Sequence, residues 1–224
     1  MSLSETVREN FNTYRVCVII PTYNNAVTLQ KVIEEVSIYT NNIIVVNDGS
    51  SDDSLAIIKK FPSVHLVSYP DNVGKGWALR QGFAAAINLK YQYAITIDSD
   101  GQHFAYDLPT FINQLMQEPH TVIIGARNMK QSSVPGGSSF GNKFSNFWFK
   151  VETGINIPDT QSGYRLYPLE PIKTMRFFTR KYEFEIEVLV RLAWKGIKVV
   201  SVPVTVYYAP KEERISHFRP YKDF

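Results

Sequence analysis

A single cysteine, Cys17, is the entire thiol content of the 224-residue chain, so no internal disulfide framework can form and a reducing compartment is expected. Because it lies in the apolar run Val16 to Ile20, that thiol is expected to be a small buried group rather than a nucleophile or a metal ligand. Nowhere do about 18 apolar residues run together, which excludes a bilayer-spanning helix within the sequence. A strong charge of one sign is missing as well. Lys and Arg number 24 against 21 Asp and Glu, leaving a net charge of +3 on scattered cations. That balance does not point to nucleic acid, but it suits an anionic ligand. Residues 1–14 are polar, with Glu5, Arg8 and Glu9, and have no apolar core of a secretory signal, so a cytoplasmic location is the default expectation. The first apolar run is followed neither by a Gly-x-Gly-x-x-Gly turn nor by a spaced Gly-Lys-Ser/Thr phosphate loop, and no internal repeat is present.

What is present reads as one globular domain with a sizeable core, at 44% apolar and 20% charged residues. Five short Val- and Ile-rich runs recur, at Val16–Ile20, Ile43–Val46, Val64–Val67, Ala94–Ile97 and Val122–Ile124. Continuous runs of this kind suit strands covered on both faces. Helical periodicity fills the gaps at about Thr28–Tyr39, Ser54–Phe61, Gly76–Leu89 and Leu108–Gln117. The alternation predicts an α/β fold with a mostly parallel central sheet and helices on both faces. Each strand ends in polar or turn residues, and in open α/β sheets such ends converge on one ligand crevice.

The pattern changes after Arg127. Gln131 to Gly141 is rich in Gly and Ser and reads as a binding loop or lid, leading into the aromatic segment Phe144–Phe149. Phe144, Phe147, Trp148 and Phe149 are expected mainly to pack in the core, with lipid contact as the other reading. Tyr164-Arg165-Leu166-Tyr167 reads as an edge strand with a solvated Arg165; pairing with Asp159 or holding an anion is the alternative. A helix is expected at Glu183–Lys195, with Glu183, Glu185 and Glu187 favouring its positive end, and a last strand at Ile197–Tyr207. Residues 15–208 form a single domain on this reading. Residues 1–14 are a polar extension, and 209–224 a basic, aromatic tail that stops without an evident closing element, as if truncated.

The chemistry concentrates in Asp98-Ser99-Asp100-Gly101-Gln102-His103, where two carboxylates leave a buried strand together. In an extended chain they share a side, and their repulsion is relieved by a cation. Oxygen ligands favour Mg²⁺ or Mn²⁺ bridging to phosphate oxygens. The competing reading makes both Asp residues helix and turn caps. Asn47-Asp48-Gly49-Ser50 places Asp48 where it can accept hydrogen bonds from a nucleobase or ribose, while Ser51 or Asp52 caps the next helix. Asn72-Val73-Gly74-Lys75-Gly76 puts a glycine-flanked Lys75 before a helix, suited to close approach of a nucleotide. Asp159 is either a general base or a loop Asp closing an Asx-turn with Thr160 or Gln161.

Taken in order, Ile20-Pro21-Thr22-Tyr23-Asn24, Asn47-Asp48-Gly49-Ser50, Asn72 to Gly76, Asp98 to His103, Gly125-Ala126-Arg127 and Asp159 to Arg165 resemble the family 2 inverting glycosyltransferases of GT-A fold. The match runs from about Arg15 to Tyr208, and the Gln102-His103 and Asp159 to Arg165 elements resemble the branch of dolichyl-phosphate mannose synthase and bacterial polyprenyl-phosphate glycosyltransferases. The resemblance implies a nucleotide-sugar-binding half, 15–127, and an acceptor-side half, 128–208. Pro21, Tyr23, Asn24, Asp48, Lys75 and Asp98 would meet the nucleotide of a UDP- or GDP-sugar. Asp98, Asp100 and Gln102 would surround Mg²⁺ or Mn²⁺ and the diphosphate, and Arg127 would face the donor sugar or the acceptor phosphate. Asp100, Asp159 and Arg127 are thus the candidate catalytic residues, and Arg214, Ser216 and His217 the candidate phosphate contacts. The implied acceptor is a polyprenyl phosphate, with a saccharide hydroxyl as the alternative and contact with a membrane surface as a corollary. The sequence departs from the family pattern at Asn25, where Glu is usual, and at Asn47, where Asp is usual. Two other classes remain: a non-catalytic nucleotide-sugar-binding domain, and a haloacid-dehalogenase-type phosphohydrolase with Asp98 as nucleophile. The second lacks its usual Thr after the Gly, and three strands precede its motif.

Overall fold

The computed structural model describes residues 3–128 and 136–207. Its centre is a seven-stranded sheet built from β1 (Val16–Thr22), β2 (Ile43–Asp48), β3 (His65–Tyr69), β4 (Tyr93–Thr96), β5 (Val122–Arg127), β6 (Arg165–Pro168) and β7 (Val199–Val204). The strand order is β3-β2-β1-β4-β6-β5-β7. Every pairing is parallel except those of β6, which runs antiparallel to both β4 and β5. All of β1 and β2 is buried, as their unbroken apolar runs require for strands with helices on both faces. The run Val64–Val67 does not meet that expectation. Among the described residues β3 forms the sheet edge and pairs with β2 alone, and it is partly exposed along its length.

The helices are α1 (Leu3–Thr13), α2 (Ala26–Ser37), α3 (Ser54–Ile58), α4 (Lys75–Asn88), α5 (Leu108–Gln117), α6 (Gly136–Thr153), α7 (Leu169–Lys173) and α8 (Glu183–Trp194). One core cluster joins α1, α2, α3 and α5 to one face of the sheet, and a second joins α4, α6, α7 and α8 to the other. Cys17 lies in the second cluster, and burial pushes its thiol pKa well up, so it is the inert thiol its position suggested. Polar residues 1–14 contain α1, which sinks Val7 and Phe11 into the core. Arg8 of α1 donates to the carbonyls of Ser37 at 2.6 Å and Ile38 at 3.1 Å, satisfying groups left open at the end of α2.

Two expectations for the second half change. The Gly- and Ser-rich stretch expected to be a loop as far as Gly141 is helical from Gly136 onward. Poor helix propensity there is overridden by the far side of α6, where Asn142 and Asn146 both donate to the carbonyl of Pro158 and Phe149 is buried. Nor is Tyr164–Tyr167 an edge strand: β6 lies inside the sheet, and Arg165 is fully buried. No helix among the described residues is long and apolar enough to cross a membrane.

Candidate functional site

The carboxyl ends of β1, β2 and β4 open side by side, and loops from elsewhere in the chain close around them. Just past β4, Asp98 receives Lys75 Nζ at 2.8 Å on Oδ1 and 3.0 Å on Oδ2. Lys75 reaches Glu185 Oε2 as well, at 3.1 Å, so one cation at the start of α4 bridges two carboxylates from different elements. Burial would lower the Lys75 pKa, but Asp98 and Glu185 raise it above its ordinary value. Burial would likewise raise Asp98, yet Lys75 outweighs it and holds that carboxyl below the usual range. The pair fits because residue 163 is a glycine. A Cβ there would stand 2.7 Å from Asp98 Oδ2 and 3.0 Å from Lys75 Nζ.

Among the described residues, no cation forms an ion pair with Asp100. Burial and the charge of Asp98 push its pKa up to about 6, against the partial relief of the Gln102 amide, which donates to Oδ1 at 3.0 Å. The chain is pinned on either side of it. Ser99 accepts from Asn25 Nδ2 at 2.8 Å through its hydroxyl and from Thr28 Oγ1 at 2.6 Å through its carbonyl, while the carbonyl of Gln102 accepts from the Tyr207 amide at 2.9 Å. His103 is buried against Tyr164, ring centroids 5.1 Å apart, and burial lowers its pKa to about 4, so it is neutral. Asn25 thus fastens α2 to the Asp98–Asp100 segment from the position where the family pattern favours Glu.

On the β2 side, Asp48 is buried and its carboxylate is engaged within the protein. Oδ1 accepts from the Val73 amide at 2.9 Å, and Oδ2 accepts from the Gly74 amide and Asn72 Nδ2, both at 2.9 Å. It therefore fixes the turn that delivers Lys75. Gly49, at φ +67°, lets the β2 loop approach the backbone of Asp71 so closely that any Cβ would lie 2.4 Å from a carbonyl carbon. Pro21 lies within β1, and Tyr23 and Asn24 follow it. Asn24, at φ 49°, accepts from the Ser51 amide at 2.8 Å and ties the loops after β1 and β2 together. Asp52, as expected, caps a helix: it accepts from the Ala26 amide at 2.9 Å at the start of α2 and from the Ser54 amide at 3.0 Å.

At the end of β5, Arg127 forks onto Asp159, with Nε to Oδ2 at 2.6 Å and Nη2 to Oδ1 at 2.9 Å. Asp159 is fully buried and also takes the Gln161 amide at 3.2 Å, which is the Asx-turn weighed above. Arg165 pairs with neither Asp159 nor solvent. Its guanidinium donates to the carbonyls of Ser162 at 2.5 Å, Thr160 at 2.7 Å and Glu185 at 2.6 Å, and to Tyr167 Oη at 3.0 Å. The solvated Arg of the sequence reading is instead a buried scaffold joining the 159–163 loop to α8.

Two contributors escaped the sequence reading. Glu185, taken as a helix-end charge, is turned inward to Lys75, and Glu187 holds the amides of Phe178 and Thr179 instead of its own helix end. A Lys six residues after a strand and a Glu more than a hundred residues later carry no local signal of their pairing. Arg214, Ser216 and His217 lie outside the described residues. The aromatic segment divides: Phe149 is buried, whereas Phe144, Phe147 and Trp148 are exposed, contrary to the core role expected for most of them.

Residues 17–176 match the family model described as Glycosyl transferase family 2. An uncharacterised protein of Methanocaldococcus jannaschii is 30% identical over 89% of this chain and 90% of its own length. A polyprenol monophosphomannose synthase of Mycolicibacterium smegmatis is 29% identical over 86% of this chain and 77% of its own. Among solved structures, glucosyl-3-phosphoglycerate synthase of Mycobacterium tuberculosis in complex with Mg²⁺ and UDP superposes with a TM-score of 0.71 at 20% identity, covering 95% of this chain and 78% of that one. That likeness establishes a shared GT-A-type fold.

Proposed function

The chain belongs to glycosyl transferase family 2, and from that premise we propose that it moves a sugar, with inversion, from a nucleoside diphosphate donor to a polyprenyl phosphate with the help of a divalent cation. Support for the donor comes from the crevice itself, where Asp48, Lys75, Asp98 and Asp100 converge at the strand ends. The mycobacterial synthase, which shares this fold, is solved in complex with UDP and Mg²⁺. The residues fit a cation: Asp100 is a half-buried carboxylate whose charge is disfavoured by burial and by Asp98, the electrostatic situation that a hard metal ion relieves. Asp98, Asp100 and Gln102 are the residues that would hold it, and when bound it would stabilise charge on the leaving diphosphate.

This chain's own groups do the positioning. Lys75 supplies a fixed positive charge at the crevice, oriented by Asp98 and Glu185. The acceptor oxygen attacks the anomeric carbon from the side opposite the diphosphate, so a new C–O bond forms as the old one breaks. In-line alignment of two bound substrates is the main demand on the protein. The observation that carries the acceptor assignment is the state of Asp159. A hydroxyl acceptor must lose a proton to a base, but Asp159 is buried with both oxygens engaged by Arg127. A phosphate acceptor is already anionic and needs no base. Asp159 then serves to aim Arg127, whose guanidinium would pair with the acceptor phosphate. The name of the Mycolicibacterium relative accords with this acceptor class.

A lipid acceptor places the protein at a membrane surface on the cytoplasmic side. The outer stripe of α6 supports that placement, because Phe144, Phe147, Trp148 and Val151 recur at helical spacing and all are about half exposed or more. Lys143 and Lys150 are exposed within a turn of them, suited to reach lipid headgroups. The test is to incubate the protein with UDP- and GDP-sugars and short-chain polyprenyl phosphate, with Mn²⁺ or with EDTA, and follow sugar in the organic phase. Metal-dependent lipid labelling is expected. Transfer to saccharide hydroxyls with none to the lipid would overturn the acceptor assignment, and full activity in EDTA would overturn the metal.

A further inference from the structure

Beyond the donor crevice, a groove of about 640 Å³ runs along the outer side of α4, between that helix, α7 and the segment that follows α7. Its floor is apolar, with Phe83, Ile87, Ile172 and Met175 among its lining residues. Arg80, Lys173 and Arg176 line it as well, and no Asp or Glu is among its described lining residues. At one end Trp77 lies beneath two guanidinium groups, Arg80 at 5.0 Å and Arg180 at 5.5 Å from the ring centroid. Trp77 follows Lys75 by two residues, and its amide donates to the carbonyl of Arg180 at 2.8 Å, so this end of the groove adjoins the crevice. Beside Arg176, Phe178 projects into solvent, 79% exposed.

We propose that this groove docks anionic lipid at a membrane surface, receiving headgroups on its cations and the adjoining apolar segment along its floor. Charge complementarity sets the sign of the occupant, since three cations face no carboxylate among the lining residues. The apolar floor selects an amphiphile over a free phosphate ion, which would leave Phe83, Ile87 and Met175 facing water. Position agrees with this choice. α4, α6, α7 and α8 belong to one layer, and α8 touches both α4 and α6, so the groove and the aromatic stripe of α6 lie on the same side of the sheet. The inference rests on the membrane placement proposed above but not on the identity of the acceptor. It adds a second contact, electrostatic where α6 is mainly apolar, and thereby makes attachment dependent on lipid charge and salt.

The chain's three tryptophans separate the two contacts. In a W148F/W194F variant only Trp77 emits, and in a W77F/W194F variant only Trp148 does. Each is mixed with vesicles of phosphatidylcholine alone or with an equal part of phosphatidylglycerol, carrying brominated chains as quencher. Trp77 is expected to be quenched only by the anionic vesicles and to recover in high salt. Adding K173E and R176E should weaken that binding roughly tenfold or more, with nucleotide binding unchanged. Quenching of Trp148 without Trp77 would overturn the groove and leave α6 as the membrane contact. If neither is quenched, the membrane placement itself fails. Equal quenching of Trp77 by neutral vesicles would overturn the anionic site. So would a Trp77 emission shift produced by soluble polyglutamate and not by vesicles, which would mark a protein-binding groove.

Discussion

Gly163 shows how one hydrogen in place of a methyl group can set the electrostatics of a crevice. Asp98 and Lys75 meet in space that a Cβ at position 163 would occupy, at 2.7 and 3.0 Å. Gly163→Ala should therefore displace the ion pair while leaving the strand register intact. We expect nucleotide-sugar turnover to fall by roughly tenfold to a hundredfold with only about 1–2 kcal/mol of lost stability. Unchanged kcat/KM with a measurable fall in stability would show that the pair is scaffold only. Arg165 predicts the reverse pattern. Its guanidinium serves three buried carbonyls and a phenol, so Arg165→Met strands those acceptors and should cost on the order of 3–5 kcal/mol in urea unfolding. A loss under about 1 kcal/mol would mean the site relaxes or admits water.

Among the elements, α8 does more than its sequence suggests, because its first two turns carry carboxylates that bind other parts of the chain. Glu187 accepts from the Phe178 amide at 3.1 Å and from Thr179 through both its amide, at 3.0 Å, and its hydroxyl, and it pairs with Arg191. Burial would raise its pKa, but these bonds, the Thr179 hydroxyl first, outweigh burial and hold it below the usual carboxylate value. A carboxyl with a lowered folded-state pKa stabilises the fold above its unfolded value, and that contribution disappears as pH falls through the folded value. Glu187→Gln is thus expected to cost about 1–2 kcal/mol near neutral pH and much less near pH 3, measured by urea unfolding at both. A cost independent of pH would assign the effect to packing. This element also marks where the sequence was legible. The parallel strands and most helices announced themselves through uninterrupted Val and Ile runs and 3.6-residue periodicity, which are local signals. The Asp98–Gln102 segment was legible for the same reason, since its residues are contiguous. Glu185 with Lys75, Arg127 with Asp159, and the burial of Arg165 depend on β6 entering the sheet between β4 and β5. A four-residue antiparallel strand carries too little pattern to announce that placement.

At the scale of the whole molecule, the sheet joins two unlike halves at β4. On one side β3, β2, β1 and β4 run parallel and hold Asp48, Asp98 and Asp100 at their carboxyl ends; on the other, β6 and β5 bring Asp159, Arg127 and Gly163 to the same opening. A ligand bridging the halves adds contacts the unfolded chain lacks, so occupancy of the crevice should appear as global stability. For a ligand present at a hundred times its Kd the gain is about 2.7 kcal/mol. In a domain of this size that corresponds to a rise in Tm of roughly 5–10 °C. We expect such a rise with UDP or GDP plus Mn²⁺, little rise with nucleotide in EDTA, and little with Mn²⁺ alone, because Asp98 is already satisfied by Lys75 and a cation gains most when diphosphate oxygens share it. Asp100→Asn should abolish the combined shift while leaving the Tm of the free protein unchanged or slightly higher, since it removes a carboxylate whose charge burial and Asp98 already disfavour. A nucleotide shift of equal size in EDTA, or one that survives Asp100→Asn, would place the diphosphate on Lys75 and the loop amides instead of on a metal held by the strand end.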